Sequence, residues 1–305
     1  MLTAGLMAWT NALADPCLRE SGIVLQALGS GGPVADDARA SSAYLVWIDG
    51  HARVLIDAGG GAFLRFGEAG ADFRDLDFIG LSHFHADHSA DFPALLKSGN
   101  FSNRTRALTV AGPDGRGQFP GLNQFLTSLF DKDGGAFGYL AGYLDGSAGR
   151  PALAALEIDS AVSGAVTVFG GENDTVQIGA MHVPHGIVPA LAFRVKVGDE
   201  TLVFASDQNG NDEQFVEFAK DASILVMHMP VPEGVSGAGR NLHAPPSRIG
   251  EIANAANVDL LVLSHFMARS LSDLEQNVTH VRSGFGGRVM IAEDLACYRM
   301  DNQED

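Results

Sequence analysis

The sequence predicts an α/β fold of four layers, in which two β-sheets pack face to face and helices cover both outer faces (an αββα sandwich). Two observations predict it. Strand-like apolar runs alternate with helical patterns, and the chain divides into two similar halves in which histidines and aspartates follow the strands. The 305 residues are 46% hydrophobic and contain no long Pro/Ser-rich linker or repeat, which indicates one domain at residues 15–305.

The first half opens with three predicted strands. Residues 22–28 form an apolar run before a glycine-rich turn, and residues 44–48 and 54–56 are joined by an Asp-Gly pair typical of hairpins. Asp57 and three glycines follow the third strand. These glycines have neither a phosphate-loop lysine nor the G-x-G-x-x-G spacing, so they do not indicate nucleotide binding. Asp57 itself fits a helix N-cap or a turn residue.

A cluster of potential metal ligands follows the next strand. Residues 76–81 are predicted to be a short buried strand, and Phe92 with the following leucines places a helix after it. The turn between them carries His83, His85, Asp87 and His88. Imidazole nitrogens with a carboxylate and no thiolate are the donors expected of a catalytic divalent metal, most often zinc. An ordinary polar loop rarely concentrates histidines in this way.

The pattern H-x-H-x-D-H in residues 83–88 resembles the signature of the metallo-β-lactamase superfamily, and residues 82–88 are most similar to its ribonuclease Z branch. The resemblance covers roughly residues 22–266 and implies the αββα fold with a dinuclear metal centre. It also implies that Asp57 braces the metal loop from behind, as an alternative to the N-cap role.

The second half contains the other ligands that the resemblance implies. His185 ends a predicted strand and precedes Pro, an aromatic residue and Arg, as in ribonuclease Z proteins, whereas His182 is left as a structural or rim histidine. Asp207 stands at the position of the carboxylate that bridges two metals, with a helix cap for residues 212–220 as the alternative. His265 follows another strand and is the last implied ligand.

The resemblance implies three ligands for each metal and one between them. One metal would be held by His83, His85 and His185, the other by Asp87, His88 and His265, with Asp207 as the bridge. We expect two Zn²⁺ per chain, although other divalent metals are possible. The candidate catalytic residues are Asp87, His228 and His243, the two histidines as proton donors to the leaving group.

Several features argue against tRNA processing. Met229 stands where ribonuclease Z proteins carry a glutamate after the residue matched by His228, and the stretch from His185 to Asp207 is too short for the flexible arm that grips tRNA. The net charge of −17 also disfavours a phosphate-backbone partner. We therefore expect a small-molecule ester substrate and no nucleic-acid partner, while an oligomer is possible.

The expected chemistry is ester hydrolysis. Two divalent ions about 3.5 Å apart hold a hydroxide between them and clamp a tetrahedral anionic centre, which favours sulfate or phosphate esters. Residues 25–47, 57–66 and 82–99 look similar to secreted bacterial arylsulfatases of this fold, so aryl sulfate esters are the expected substrates. The alternatives are a phosphodiesterase or phosphotriesterase, a ribonuclease Z-like nuclease and, less in keeping with the sequence, a β-lactamase or lactonase. The complete ligand set argues against a non-catalytic binding protein.

The N-terminus predicts export. Residues 1–14 resemble a secretory signal cleaved after Ala14, although no basic residue precedes the apolar stretch, and an ordinary extension is the alternative. We expect a periplasmic or secreted protein, otherwise a cytoplasmic one, and no membrane span. In an oxidising compartment the two cysteines, Cys17 and Cys297, could form a disulfide; two buried free thiols are the alternative.

Two further segments complete the sequence. In residues 97–175 a helix is predicted around 118–130, and the aromatic residues of this segment fit either a substrate rim or core packing. Ser272 and Glu275 have the spacing of a capping box that opens the next helix, which gives them a structural role.

Overall fold

The structure is a computed structural model that describes residues 17 and 21–300. The predicted signal segment, residues 1–14, lies outside the described residues. The described part of the chain contains two seven-stranded sheets with helices on their outer faces, which confirms the predicted αββα class.

Each sheet is built mainly from one half of the chain. The first sheet contains β1 (Ile23–Gly29), β2 (Ala43–Ile48), β3 (His51–Ile56), β4 (Phe78–Gly80), β5 (Leu108–Pro113), β6 (Leu153–Ile158) and β14 (Cys297–Tyr298). The second contains β7 (Val166–Phe169), β8 (Val176–His185), β9 (Val188–Val197), β10 (Glu200–Phe204), β11 (Ile224–His228), β12 (Leu260–Ser264) and β13 (Arg288–Ile291). The spatial orders are β14-β1-β2-β3-β4-β5-β6 and β13-β12-β11-β10-β9-β8-β7.

The helices are mostly short. They are α1 (Ala62–Glu68), α2 (Ala86–Ser89), α3 (Phe92–Gly99), α4 (Leu122–Phe130), α5 (Gly142–Asp145), α6 (Gln214–Phe218), α7 (Ala238–Leu242), α8 (Pro246–Ala255), α9 (Ala268–Leu271) and α10 (Leu274–Gly284), with a 3₁₀ turn at Gly138–Leu140. Among the described residues, no helix has the length and apolar character needed to cross a bilayer.

The side chains of β2 show why the sheet lies between two apolar layers. Tyr44 and Val46 belong to the core shared by the two sheets, where the Tyr44 ring lies 5.8 Å from that of Phe204. Leu45 and Trp47 belong instead to the core that contains residues of α1, α3 and α4. Because successive strand residues point to opposite faces, this alternation places one layer on each side of the sheet.

The hairpin predicted between β2 and β3 is confirmed. The two strands pair antiparallel, and Asp49 and Gly50 between them have φ angles of 50° and 77°. Both central residues are therefore left-handed, as the turn that matches strand twist requires, and aspartate and glycine tolerate this conformation better than other residues.

The predicted capping box is wrong. Helix α10 begins at Leu274, and Asp273 precedes it without a side-chain cap hydrogen bond. Ser272 belongs to the end of the preceding helix α9, where its hydroxyl donates to the carbonyl of Arg269 at 3.2 Å. The hydroxyl of Ser272 is therefore hydrogen-bonded at the end of α9 and does not cap α10. The Ser-x-x-Glu spacing alone was not sufficient to identify the cap.

Parallel strands position the functional part of the molecule. Strands β3 to β6 run parallel in the first sheet, and β10 to β13 run parallel in the second. Their carboxyl ends are followed by the predicted metal-binding turn in one sheet and by Asp207 and His265 in the other. Ligand sites of open α/β sheets form at such ends.

The two cysteines are joined in the structure. Cys17 and Cys297 form a disulfide with their Cα atoms 5.6 Å apart, across a separation of 280 residues. The bridge ties the segment before β1 to β14, the edge strand of the first sheet. Of the two alternatives left open by the sequence, the structure contains the disulfide.

The aromatic residues of the 97–175 segment divide between core and surface. Phe130 and Tyr143 are fully buried, whereas Phe101 and Tyr139 are 72% and 58% exposed. The exposed pair lies on either side of Lys97, whose ammonium is 4.8 and 5.2 Å from the two ring centres. Core packing therefore accounts for part of the aromatic pattern and a surface cation–π contact for the rest.

Candidate metal centre

Four segments deliver the predicted ligands to one end of the molecule. The turn of residues 83–88 follows β4, His185 ends β8, Asp207 follows β10 and His265 follows β12. Contacts between side chains as distant in sequence as Asp87 and His265, 178 positions apart, close the centre. The structure thus brings all seven predicted ligands together, and His228 and His243 lie beside them.

One set of donors, named here the pocket-side group, contains His83, His85, His185 and Asp207. Their ligand atoms all lie within 4.8 Å of one another. His83 Nε2 is 3.0 Å from His85 Nδ1, and His185 Nε2 is 3.5 Å from Asp207 Oδ2. His185 Nε2 is buried and has no hydrogen-bond partner among the described residues. This group matches the donors predicted for the first metal together with the predicted bridge.

A second set, named the buried group, contains His88, His228, His265 and Asp207, again within 4.8 Å. His88 Nε2 lies 3.1 Å from His265 Nε2. The sequence assigned Asp87 to this metal, whereas His228 completes the compact group in the structure. Asp87 borders it, since its Oδ2 lies 3.1 Å from His265 Nε2 and 3.5 Å from His88 Nε2.

Asp207 is the carboxylate that the two groups share. Its Oδ2 faces His185 at 3.5 Å and His88 at 3.8 Å. Its Oδ1 lies 3.3 Å from His265 Nε2 and 2.8 Å from His228 Nδ1. Asp207 therefore occupies the place where a bridging ligand would stand. The helix-cap alternative does not apply, because α6 begins at Gln214 with Glu213 before it.

Ring nitrogens that point away from the centre are held by fixed acceptors. His88 Nδ1 donates to Asp57 Oδ2 at 2.8 Å, and His185 Nδ1 donates to the carbonyl of Leu242 at 3.0 Å. A histidine protonated on Nδ1 keeps the Nε2 lone pair for a cation. These contacts therefore set the tautomer and the direction of both rings.

Asp57 has the bracing role that the sequence suggested. Besides His88, it accepts hydrogen bonds from the backbone N–H and the hydroxyl of Ser82, at 2.7 and 2.8 Å. The N-cap position of α1 belongs to Gly61, so Asp57 is not a cap. The carboxylate reaches this position because the Asp57 backbone is left-handed, with φ of 60°.

The left-handed backbone conformation of Asp57 recurs in two other residues that follow strands at the centre. Ser206 and His265 have φ angles of 58° and 57°. A non-glycine residue in the left-handed region costs roughly 1–2 kcal/mol, and such residues concentrate at functional sites where the surrounding fold enforces them. Strained residues next to three ligand segments are consistent with a site rather than an ordinary loop.

Burial and neighbouring charges shift the pKa values of the centre in different directions: they favour neutral His83 and ionised Asp207, whereas His88 holds its proton until a cation displaces it. Burial, followed by the charge of His88, lowers the pKa of His83 well below its ordinary value. Burial also acts to lower the pKa of His88, but Asp57 and Asp207 outweigh it and raise that pKa to about 9. For Asp207, burial acts to raise the pKa, yet the charge of His265 and the other histidines lowers it well below the usual range. The carboxylate is thus ionised and ready to accept a cation.

These residues fit a pair of divalent cations. The donors are imidazole nitrogens and carboxylate oxygens without thiolates, the set that divalent metals prefer in hydrolytic sites. Pairs of ring nitrogens approach to 3.0 Å at His83 and His85 and to 3.1 Å at His88 and His265. Two facing lone pairs repel unless a proton or a cation lies between them, so these close contacts fit a cation site.

His228 is hydrogen-bonded at both ring nitrogens. Its Nδ1 donates to Asp207 Oδ1 at 2.8 Å, and its Nε2 lies 3.1 Å from the hydroxyl of Tyr44. That hydroxyl is also 2.8 Å from Ser264 Oγ. Burial, the largest cause, lowers the pKa of His228 to about 3, so its ring is neutral at pH 7. The arrangement fits a residue that orients Asp207 and offers no free nitrogen to a substrate.

His243 faces both groups. It follows α7, its ring lies 5.3 Å from that of His185, and its Nδ1 is 4.0 Å from Asp207 Oδ1. This nitrogen is buried and has no hydrogen-bond partner within the described part of the chain. Burial, as the main cause, lowers the pKa of His243 to about 4.

Sequence reasoning missed Tyr44 and Ser264, and it left His182 without a definite role. Tyr44 reads as an ordinary residue of a buried strand, and the only signal was that a buried tyrosine hydroxyl needs a polar partner. His182 belongs to neither ligand group; its Nε2 donates to the carbonyl of Ile158 at 3.1 Å. The structure leaves His182 outside the ligand groups, which is compatible with the structural or rim role expected from the sequence.

Comparisons with known proteins agree with the fold. Residues 36–217 match the model of the metallo-beta-lactamase superfamily. Ribonuclease Z of Mycobacterium sp. (strain KMS) is 27% identical over 254 residues, which cover 79% of this chain and 82% of the relative. Ribonuclease Z of Haloferax volcanii is 26% identical over 305 residues, which cover 88% of this chain and 92% of the relative.

A solved structure shows the same architecture. The short form of human tRNase Z superposes with a TM-score of 0.70 and 18% identity, covering 92% of this chain and 100% of that one. At this identity the likeness extends to the fold alone.

Proposed function

The chain belongs to the metallo-β-lactamase superfamily, and from that premise we propose that this metal-dependent hydrolase cleaves phosphodiester bonds in small substrates. The observation that carries the proposal is the position of Asp207 between two groups of ionisable donors. The ribonuclease Z relatives support the bond type, because a ribonuclease cleaves phosphodiesters.

The proposed ligands follow the sequence assignment. His83, His85 and His185 would hold one cation, and Asp207 would lie between the two. His88 and His265 would hold the other with Asp87, which borders the buried group, because both ring nitrogens of His228 are already hydrogen-bonded. Divalent cations at these positions supply Lewis-acid chemistry, in that they activate water at neutral pH and neutralise charge on phosphoryl oxygens. We propose zinc for both, since imidazole with carboxylate suits it, although the donors also suit other divalent metals.

The catalytic side chains have separate proposed roles. Burial acts to raise the pKa of Asp87, but the hydrogen bond with His265 and the charge of His88 lower it to about 2, so Asp87 is an ionised acceptor for water at the centre. His243 hydrogen-bonds the leaving oxygen as a neutral imidazole, because its Nδ1 faces the centre and has no partner among the described residues, and its pKa is lowered to about 4. His228 keeps Asp207 in position through its hydrogen bond to Oδ1.

Two observations support small substrates over tRNA. The stretch between His185 and Asp207 is occupied by β9, β10 and short connections, with a two-residue turn at positions 186–187. This leaves no room there for a protruding arm. The net charge of −17 adds a general repulsion of polynucleotides. The absence of a nucleic-acid partner stays a prediction, because the relatives are ribonucleases.

Two further expectations remain predictions. The arylsulfatase resemblance finds no support in these comparisons, so aryl sulfate hydrolysis becomes the second substrate to test. Export to the periplasm or beyond is supported by the disulfide between Cys17 and Cys297, because disulfides persist in oxidising compartments.

A substrate panel tests the proposal. The zinc-loaded protein is assayed with bis(4-nitrophenyl) phosphate, 4-nitrophenyl sulfate, a phosphotriester, a chromogenic cephalosporin and a precursor tRNA with a 3′ extension. We expect the highest kcat/KM for the phosphodiester and its loss after chelation. Faster turnover of the sulfate ester would replace the proposed substrate class, and faster turnover of the tRNA precursor would make the protein a nuclease. No turnover of any substrate would refute hydrolysis.

A further inference from the structure

A cavity beside the pocket-side group contains a side chain that the proposed chemistry does not use. The cavity has a volume of about 530 Å³ and is lined by His185, His182, Ser160, Asn211 and Arg116, among others. Because His185 belongs to both the ligand group and the cavity wall, the cavity adjoins the pocket-side group.

Arg116 is held at the cavity by the backbone. Its N–H donates to the carbonyl of Phe119 at 3.0 Å, and the N–H of Phe119 donates back at the same distance. The Phe119 ring lies 6.3 Å from the ring of His85. The tight turn thus touches the pocket-side group through Phe119 and presents Arg116 to the cavity.

The guanidinium of Arg116 has no hydrogen bond or ion pair within residues 21–300. Many other arginines of the described residues are engaged, for example Arg53 and Arg106, which both pair with Asp77. Arg116 is also exposed, and no group of the described structure accepts a hydrogen bond from its five guanidinium N–H donors. A free guanidinium on a cavity wall is suited to a planar anionic group of a ligand.

Each of the two carboxylates near the cavity, Asp114 and Asp212, accepts hydrogen bonds at one oxygen, while Asp114 Oδ1 has no hydrogen-bond partner among the described residues. Asp114 Oδ2 accepts hydrogen bonds from the N–H and hydroxyl of Ser160, at 3.0 and 2.7 Å, and its Oδ1 lies 3.9 Å from His182 Nε2. Asp212 Oδ1 accepts from the N–H of Gln214 at 2.9 Å. Neither carboxylate pairs with Arg116, which leaves its positive charge available in a chain of net charge −17.

We infer that this cavity binds a second anionic group of the substrate, a carboxylate or a phosphate, through Arg116. The inference rests on the proposed function, since the scissile ester must lie at the cations for a second group to reach the cavity. It narrows the substrate class to phosphodiesters whose other alcohol carries a negative charge.

Two matched substrates test the inference. They are 4-nitrophenyl ethyl phosphate and 4-nitrophenyl 2-carboxyethyl phosphate, which differ by one carboxylate. In the zinc-loaded wild type we expect the carboxylated diester to have the higher kcat/KM. Arg116→Gln should reduce its advantage about tenfold, mainly through KM, because one charge-assisted contact is lost at a partly exposed site.

Arg282→Gln is the matched control. Arg282 is exposed on α10, has no hydrogen bond or ion pair in the described part of the chain, and its replacement changes the net charge equally. We expect this variant to keep the wild-type ratio between the two substrates. An equal change in both variants would reduce the effect to general electrostatics and overturn the inference, as would an unchanged ratio in Arg116→Gln.

Equilibrium binding separates this inference from the proposed function. The zinc-loaded wild type and both variants are titrated calorimetrically with the same two diesters. If neither diester is cleaved, the proposed function fails, while a binding preference for the carboxylated diester that is lost only in Arg116→Gln still supports the anion site. If both are cleaved and neither binding nor kcat/KM distinguishes them, the anion site is refuted and the proposed function stands.

Discussion

The pocket-side and buried groups share Asp207 but differ in their surroundings. In the pocket-side group, His85 is only half-buried and His185 forms part of a cavity wall. The Nδ1 of His185 donates a hydrogen bond to a neutral backbone carbonyl. In the buried group, His88 is 0% exposed, and its Nδ1 lies 2.8 Å from the carboxylate of Asp57. One position is therefore open to substrate, and the other is enclosed and braced by charge.

This difference predicts that the two neighbouring cation sites have different roles, one in binding its cation tightly and the other in meeting the substrate. A charged acceptor behind a histidine makes the ring a stronger donor, so the buried group should bind its cation more tightly. The pocket-side group, with access to the cavity, is the one that a substrate meets first.

Asp207→Ala should have the largest effect, because it removes the donor common to both groups. We expect metal content to fall well below two per chain and kcat/KM to fall more than about 100-fold on every substrate. Elemental analysis and kinetics measure the two quantities. Asp259→Ala, at an exposed carboxylate, is the control and should retain both. Two bound metals in Asp207→Ala would contradict the shared position.

Asp57→Asn should lower the metal affinity of the buried group while leaving that of the pocket-side group unchanged. The substitution keeps the shape of the side chain but removes the charge behind His88, so affinity for the buried cation should fall about 10- to 100-fold. Competition with a chromophoric chelator measures it. Asp77→Asn removes another buried carboxylate, one that pairs with Arg53 and Arg106, and should lower only thermal stability. Equal metal loss in both variants would show that Asp57 acts on the fold and not on the centre.

Tyr44→Phe should also lower metal affinity, but less than Asp57→Asn. It deletes the hydroxyl beside His228 Nε2, and the weaker positioning of Asp207 should reduce metal affinity by up to about tenfold. Tyr143→Phe is a close control, because Tyr143 is equally buried and donates to the carbonyl of Leu96 at 2.8 Å. Both variants should lose some stability, but only Tyr44→Phe should change metal affinity. Identical affinities would exclude the positioning role.

Removing the disulfide should affect the centre least. Replacing Cys17 and Cys297 by serine is expected to lower the free energy of unfolding by about 2–4 kcal/mol, because the unfolded chain gains freedom. Metal content should remain that of the wild type, since neither cysteine contacts either group. Denaturant unfolding and elemental analysis measure the two effects. A loss of metal would show that β14 supports the centre after all.

The turn at 83–88 was predictable because its information is local. Four donors within six positions after a buried strand have few other uses, and the structure places all of them at the centre. His185, Asp207 and His265 lie singly at strand ends and could be proposed only through resemblance to a family. The membership of the buried group was not foreseen, because it depends on which of Asp87 and His228 the packed strands bring nearer.

The sequence by itself determined the layers and the chemistry of the donors, because both follow from short-range patterns: alternation along strands, and histidines close together in a turn. Only the tertiary structure decided what surrounds those donors. Tyr44 meets His228 across 184 positions, and Arg116 faces a cavity formed by distant segments. Such contacts depend on how the two sheets pack against each other, and no local sequence pattern predicts which distant residues this packing brings together.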